Sequence, residues 1–344
     1  MQAGGYEKTF TIREQAEARE KAMLSPYASL SVNTRGRERN EKPCEIRPAY
    51  QRDRDRILHC KAFRRLKHKT QVFLCPQGDH YRDRLTHTLE VSQIARTISC
   101  ALSLNESLTE AIALGHDLGH TPFGHSGEHV LNQLNPGGFI HCDQSVRVVE
   151  ILEKKGQGLN LTWEVRDGIR NHRTSGHPST LEGRCVQLAD KIAYINHDID
   201  DAERAGILME EEIPEEYRKV LGYTIRERLN TVIHDIVNNS TGQADIILSY
   251  GMEKTIRELR IFLFEHVYKN PRVKTEEQQV INMLQQLYAY YNRHLEALPG
   301  EYLELMETRG DAKEQVVCDY IAGMTDEYAI RKFSEIYIPK AWIT

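Results

Sequence analysis

Apolar side chains recur every three to four positions along most of the chain, the period of a helix that buries one face. Over 84–104 the set is Leu85, Leu89, Ser92 and Ala95, then Ile98 and Leu102. Ser107-Leu-Thr-Glu110 has capping-box form and predicts a helix start leading into Ala111-Ile-Ala-Leu. The pattern repeats over 127–134, 143–154, 163–172 and 184–204, and again over 215–238, 244–268, 274–296 and 311–323. Loops are expected at 135–138, at 155–158 and over RTSGHPSTLEG (173–183), which has the composition of a mobile segment. No alternating strand pattern stands out, so the expected fold is all-α. It divides into an N-terminal arm (1–49), a helical core (50–205) and a helical C-terminal lobe (206–344). The arm is polar, with turn signals at Ser25-Pro26 and Asn33-Thr34-Arg35-Gly36, and is expected to wrap the body or join subunits.

Composition narrows the class. At 344 residues with 40% hydrophobic and 28% charged side chains, the chain can bury a large core as an ordinary globular protein. It has no apolar run of roughly 18 residues or more, and no basic-then-apolar leader at its start. A cytoplasmic location without membrane association is therefore expected. The seven cysteines (44, 60, 75, 100, 142, 185, 318) are scattered and never spaced CxxC, which predicts reduced thiols with Cys142 as a bystander. The net charge is −5, yet Arg52, Arg54, Arg56, Lys61, Arg64, Arg65, Lys67 and Lys69 face only Asp53 and Asp55 between positions 52 and 69. That asymmetry suits a polyanionic ligand; a salt-bridged helix face is the alternative.

The chemistry concentrates in LGHDLGHTPFGHSGEH (114–129), with His116, His120, His125, His129, Asp117 and Glu128. Gly115, Gly119, Gly124 and Gly127 interrupt a helix without evident structural benefit, as expected where backbone and ligand approach closely. Asp190 sits among Leu188, Ala189, Ile192 and Ala193, where a carboxylate should be paired or bound to metal. A solvent-facing Asp is the bland alternative. With His87 and the His116-Asp117 doublet it offers a mixed N/O donor set suited to Mn, Fe, Ni, Co or Zn.

His87, His116-Asp117 and Asp190 stand as the H…HD…D signature of the HD-domain phosphohydrolases. AFRRLKHKTQVF (62–73), RLTHTLEV (84–91), HDLGHTPFGHSGE (116–128), HCDQSVRV (141–148), ADKIAYINHDIDDA (189–202) and DYIAGMTD (319–326) resemble, in order, the dGTPase-type deoxynucleoside triphosphate triphosphohydrolases. The resemblance implies one divalent ion, Mn2+ or Mg2+ in use and Ni2+, Fe2+, Co2+ or Zn2+ as other options, held by His87, His116, Asp117 and Asp190. It implies hydrolysis of deoxynucleoside triphosphates at the α-phosphorus, to deoxynucleoside and inorganic triphosphate. His125 and Glu128 match the catalytic His–carboxylate pair, with His120 and His141 in support. Arg84 matches a phosphate-contacting arginine, to which Arg64, Arg65, Lys69 or Lys191 could add charge. Tyr194 matches a residue packed under the sugar, and Asp198 a position near it. Family members form tetramers or hexamers, so a homo-oligomer is expected, with a nucleotide or single-stranded DNA as a possible effector. Two readings compete: another HD hydrolase, acting on nucleoside monophosphates or guanosine tetraphosphate, and a nucleic-acid or nucleotide sensor. Neither monophosphatase nor tetraphosphate hydrolase needs the HTPFGHSGE extension. A strand-binding groove wants stacking aromatics, and Phe63 alone interrupts the basic run 52–69.

Overall fold

A computed structural model describes residues 10–71 and 82–339. Val72 and Phe73 of the AFRRLKHKTQVF motif, and Cys75, lie outside the described residues. Helices follow one another: α1 (Ile12–Met23), α2 (Ala49–Leu58), α3 (Lys61–Arg65), α4 (Arg84–Ala101), α5 (Glu106–Gly115), α6 (Gly124–Leu134), α7 (His141–Arg147), α8 (Trp163–Arg170), α9 (Leu181–Arg204), α10 (Glu215–Leu221), α11 (Ile225–Ser240), α12 (Tyr250–Leu263), α13 (Pro271–Arg293), α14 (Gly300–Arg309), α15 (Lys313–Ala322) and α16 (Asp326–Tyr337). The fold is all-α; two isolated bridges, Arg37–Thr162 and Thr70–Asp83, are the β-type pairings among the described residues.

Two apolar cores form. In the first, α5 lies between α2, α4, α8 and α9, with Ile112, Ile57, Ile98, Ile169 and Ala189 fully buried. Val232, Ile236, Ile256 and Leu259 of α11 and α12 join this core. In the second, Val130 and Leu131 of α6 meet Leu284 and Leu287 of α13 and Val316, Val317 and Ile321 of α15. The cores thus cross the expected division at 205/206 in both directions.

Several local expectations are corrected. Asn105, not Ser107, caps α5, its side chain accepting from the Ser107 and Leu108 amides at 3.1 and 3.3 Å. The run 143–154 is α7 plus a π turn at Val148–Leu152, after which Lys154 and Lys155 take left-handed φ values of 52° and 56°. The run 215–238 breaks at Gly222, whose φ of +118° no other residue adopts easily. The expected mobile loop 173–183 is tied down. Gln187 donates to the Gly176 carbonyl at 2.9 Å, and the Ser179 amide donates to Asp167 at 2.8 Å.

The described part of the arm wraps the body. Buried carboxylates anchor it: Glu164 accepts from Thr34 and the Arg35 amide, Glu182 from the Ser29 amide, and Asp53 pairs with Arg37. The first half of the basic run is neutralised. Arg54 reaches Asp55 and Glu110, while Arg52 and Arg56 reach Glu41. The salt-bridged face is therefore the better description of its first half. The described cysteines are free thiols, and no described helix is long and apolar enough to cross a membrane.

Candidate active site and metal centre

Three elements bring the expected ligands together. α4 carries His87 one turn after its N-cap Asp83, α5 ends at Gly115 so that His116 and Asp117 begin a tight turn, and α9 presents Asp190. His87 Nε2 lies 3.1 Å and His116 Nε2 3.9 Å from the same Asp190 oxygen, and His116 Nε2 is 3.6 Å from Asp117.

Each imidazole is held by its other nitrogen. His116 Nδ1 donates to the Ala113 carbonyl at 2.6 Å, which leaves Nε2 buried without a hydrogen-bond partner. His87 Nδ1 faces His197 Nδ1 at 3.1 Å, and His197 Nε2 pairs with Glu90. Glu90 can only accept from His197, so with both rings neutral His197 Nδ1 accepts from His87. That network assigns the tautomers and leaves the His87 Nε2 lone pair for a ligand. Burial lowers the His87 pKa, keeping the ring neutral. Burial pushes the Asp190 carboxyl up, but the surrounding imidazoles of His116, His87 and His172 outweigh it and hold the carboxyl below its usual range. The orphaned His116 nitrogen, the donor types and the backing bonds fit a divalent ion.

Arg84 is almost wholly buried and donates to Asp117 at 2.5 Å. It therefore fixes the Asp117 carboxylate as well as lining the cleft, a bond that its spacing from His87 did not announce. Phe123, the N-cap of α6, and Gly124, its first residue, then take successive left-handed conformations, φ 59° and 56°. They turn His125 into the cleft, its side chain 59% exposed. Glu128 accepts from two imidazoles, His125 Nδ1 at 3.3 Å and His141 Nδ1 at 2.9 Å. His120 stacks on His141 at 4.6 Å, and burial drives its pKa well down. His129 is outside the cleft and pairs with Gln133.

The glycines do have a structural reason. A Cβ on Gly119 would lie 2.1 Å from the Ser145 amide nitrogen, and one on Gly127 2.1 Å from the Pro122 carbonyl. The turn is packed backbone against backbone.

Tyr194 and Lys191 line the same cleft. Asp198 does not reach it. It is buried one layer behind and accepts from Tyr268 at 2.9 Å, and the Tyr268 hydroxyl meets that of Tyr194. Arg65 faces a separate cavity, with Lys61 and Tyr302, behind the HD turn. Lys69 is buried and clamps rather than binds, donating to the carbonyls of His120 and Ala322 at 2.5 and 2.7 Å. The cleft also takes Gln71, His172, Arg173 and Arg260, which motif reading missed. Arg260 comes from the C-terminal lobe, where no motif marks it. His172 closes the run 163–172 read as an amphipathic helix, where a histidine at the end of the apolar pattern was the available clue.

This metal-ready cleft on an all-α frame is that of an HD-domain phosphohydrolase. The HD domain family matches residues 84–195 and the phosphohydrolase-associated domain residues 246–335. Over 96% of the chain, a deoxyguanosinetriphosphate triphosphohydrolase-like protein of Caldanaerobacter subterraneus subsp. tengcongensis is 56% identical, covering 97% of that protein. Similarly named proteins of Desulfatibacillum aliphaticivorans and Clostridium perfringens are 49% and 50% identical over 96% of the chain, covering 99% and 98% of their own lengths. The chain belongs to the family of deoxyguanosinetriphosphate triphosphohydrolase-like proteins, and it is an enzyme. A crystal structure of a hypothetical protein from Aquifex aeolicus, 18% identical, matches the fold with a TM-score of 0.52 over 84% of this chain and 68% of that one.

Proposed function

We propose that the enzyme hydrolyses deoxynucleoside triphosphates at the α-phosphorus, releasing deoxynucleoside and inorganic triphosphate, with Mn2+ or Mg2+ at His87, His116, Asp117 and Asp190. One observation carries this reading. A single cleft is lined by His87, Asp117, Asp190, His125 and the cations Arg84, Arg173, Lys191 and Arg260, with His116 clustered behind His87 and Asp117 and Glu128 backing His125. A bound divalent ion supplies Lewis acidity and a lowered water pKa.

The remaining work falls to side chains. The cations offset the several negative charges of a triphosphate chain. Water forms the new P–O bond, releasing a proton to solvent, as the bond to the 5′-oxygen breaks. Protonated His125, oriented by Glu128, gives its proton to that leaving oxygen. Tyr194, its hydroxyl tied to Tyr268 and through it to Asp198, offers a fixed ring against which a deoxyribose can pack and a 2′-hydroxyl would crowd. The relatives' names point the same way.

The test is incubation with Mn2+ and each dNTP or NTP in 18O-labelled water, with products separated by chromatography. Deoxynucleoside and triphosphate are expected, the label in the triphosphate. Release of phosphate or pyrophosphate, or turnover of monophosphates only, overturns the reading in favour of another HD chemistry.

A further inference from the structure

Beside the HD centre lies a second donor cluster that the proposed reaction does not use as ligands. His141, Cys142 and His172 are all buried. The two imidazoles point Nε2 at Nε2, 3.2 Å apart, and Cys142 Sγ lies 3.5 Å from the first and 3.9 Å from the second.

The protons make this contact unusual. His141 Nδ1 donates to Glu128 at 2.9 Å, and His172 Nδ1 donates to the Ile169 carbonyl at 2.7 Å. Both rings, when neutral, therefore aim lone pairs at one another. The Cys142 thiol carries one proton and can satisfy only one of them. Something positive belongs between them, either a shared proton or a cation.

The distances favour a cation. With Zn–N of about 2.0–2.1 Å and Zn–S of about 2.3 Å, tetrahedral edges are about 3.3 Å between nitrogens and about 3.6 Å between sulfur and nitrogen. The second-shell pattern is also that of ligating histidines, each ring fixed through its far N–H by a carboxylate or carbonyl. His120 stacks on His141 and holds its plane. Both His141 and His172 line the cleft, which gives an ion a route in and an open fourth position.

We infer that His141, Cys142 and His172 form a second metal site, selective for a thiophilic divalent ion such as Zn2+ over the harder Mn2+. Binding forms the S–metal bond and expels the thiol proton to solvent. The thiolate offsets repulsion from an ion at the HD centre, since the His116 and His172 rings are only 5.0 Å apart. Occupation takes the free nitrogen of His141, whose ring shares Glu128 with the proposed proton donor His125 and so helps to hold that pair in place. Zinc should therefore silence turnover, a consequence that rests on the proposed function, whereas the site itself does not.

Chelator-stripped protein titrated with Co2+ tests the site without reference to activity. Wild type should bind two ions per chain and develop thiolate-to-cobalt charge-transfer absorption. Cys142→Ser and Cys142→Ala should each lose that band and one ion. X-ray absorption of the zinc-loaded wild type, which needs no variant to fold, should show one sulfur neighbour at about 2.3 Å. One ion per chain with no sulfur neighbour overturns the site and leaves a shared proton as the occupant. A band that survives both substitutions also overturns it. Zinc should inhibit the Mn2+-loaded wild type but not Cys142→Ser. Two bound ions without inhibition would overturn the role given to His141 while leaving the site standing.

Discussion

At the scale of residues, Glu128 carries the heaviest assignment, because one carboxylate orients two imidazoles through its two oxygens. Glu128→Gln keeps the shape but replaces the charge and one acceptor. Turnover should fall by about 10²–10⁴, with metal content by mass spectrometry unchanged; loss of metal instead would make Glu128 a structural support. Asp198 makes a different prediction. Burial raises its carboxyl well above the ordinary range against the Tyr268 hydrogen bond and Arg260, with Asp201 adding to the rise. A carboxyl raised in the folded state holds its proton longer there. Its contribution is full below the unfolded value and is lost as pH rises through the raised one. Asp198→Asn keeps an acceptor for Tyr268 and removes that loss, so its melting temperature relative to wild type should climb with pH. A difference that is flat with pH would mean that Asp198 is ionised and paired. The candidate ligand residues were legible as text, and Asp190 also as a carboxylate stranded on an apolar face. The bond from Arg84 to Asp117 was not, because it joins two elements whose relative placement no spacing encodes.

At the scale of elements, the HD turn works because it is too tight for side chains. A Cβ on Gly127 would press on a backbone carbonyl, which cannot swing aside as a side-chain tip can. Gly127→Ala should therefore cost about 1–3 kcal/mol in denaturant unfolding, despite the gain in helix propensity. A neutral or stabilising result would show the turn to be pliable. The sequence invited the opposite emphasis, since glycines read as room for ligand and only a three-dimensional neighbour reveals them as room for backbone. Periodicity located the helices that bury a stripe, such as α9. It passed over α1, which buries none of its residues and rests on a Thr11–Glu14 capping box and the Arg13–Glu17 pair. It also passed over α14, where Leu305 alone is buried. An element without an apolar face leaves no period to read. The cap of α5 moved by two residues for a related reason. Asn105 and Ser107 both have cap chemistry, and the choice falls to Asn105, whose backbone and side chain also meet Glu182 and Ser29.

At the scale of the molecule, the C-terminal helices hold the turn that carries His125 from behind. Asp326, at the start of α16, accepts from the Phe123 amide at 2.9 Å and from the Thr70 amide at 2.8 Å, and pairs with the Thr70 hydroxyl. Lys69 ties His120 to Ala322 at the end of α15. The left-handed Phe123, the residue that swings His125 into the cleft, is thus fixed by a carboxylate about two hundred positions away. DYIAGMTD was recognisable as family text, but its purpose was hidden, since nothing local links it to HTPFGHSGE. Asp326→Ala strips acceptors from two amides. Each amide left buried without a partner costs about 1–3 kcal/mol, so the variant should unfold earlier. If the clamp also positions chemistry, kcat should drop by about 10²-fold, the penalty typical of a misplacement near 1 Å, while Mn2+ content stays at wild type because no ligand is touched. Asp326→Asn, which keeps one carbonyl acceptor, should fall between the two. Reduced stability with unchanged kcat would confine the C-terminal helices to support. Reduced kcat with retained metal would make them part of the active site's geometry, and would explain why α6 packs into the second core rather than the first.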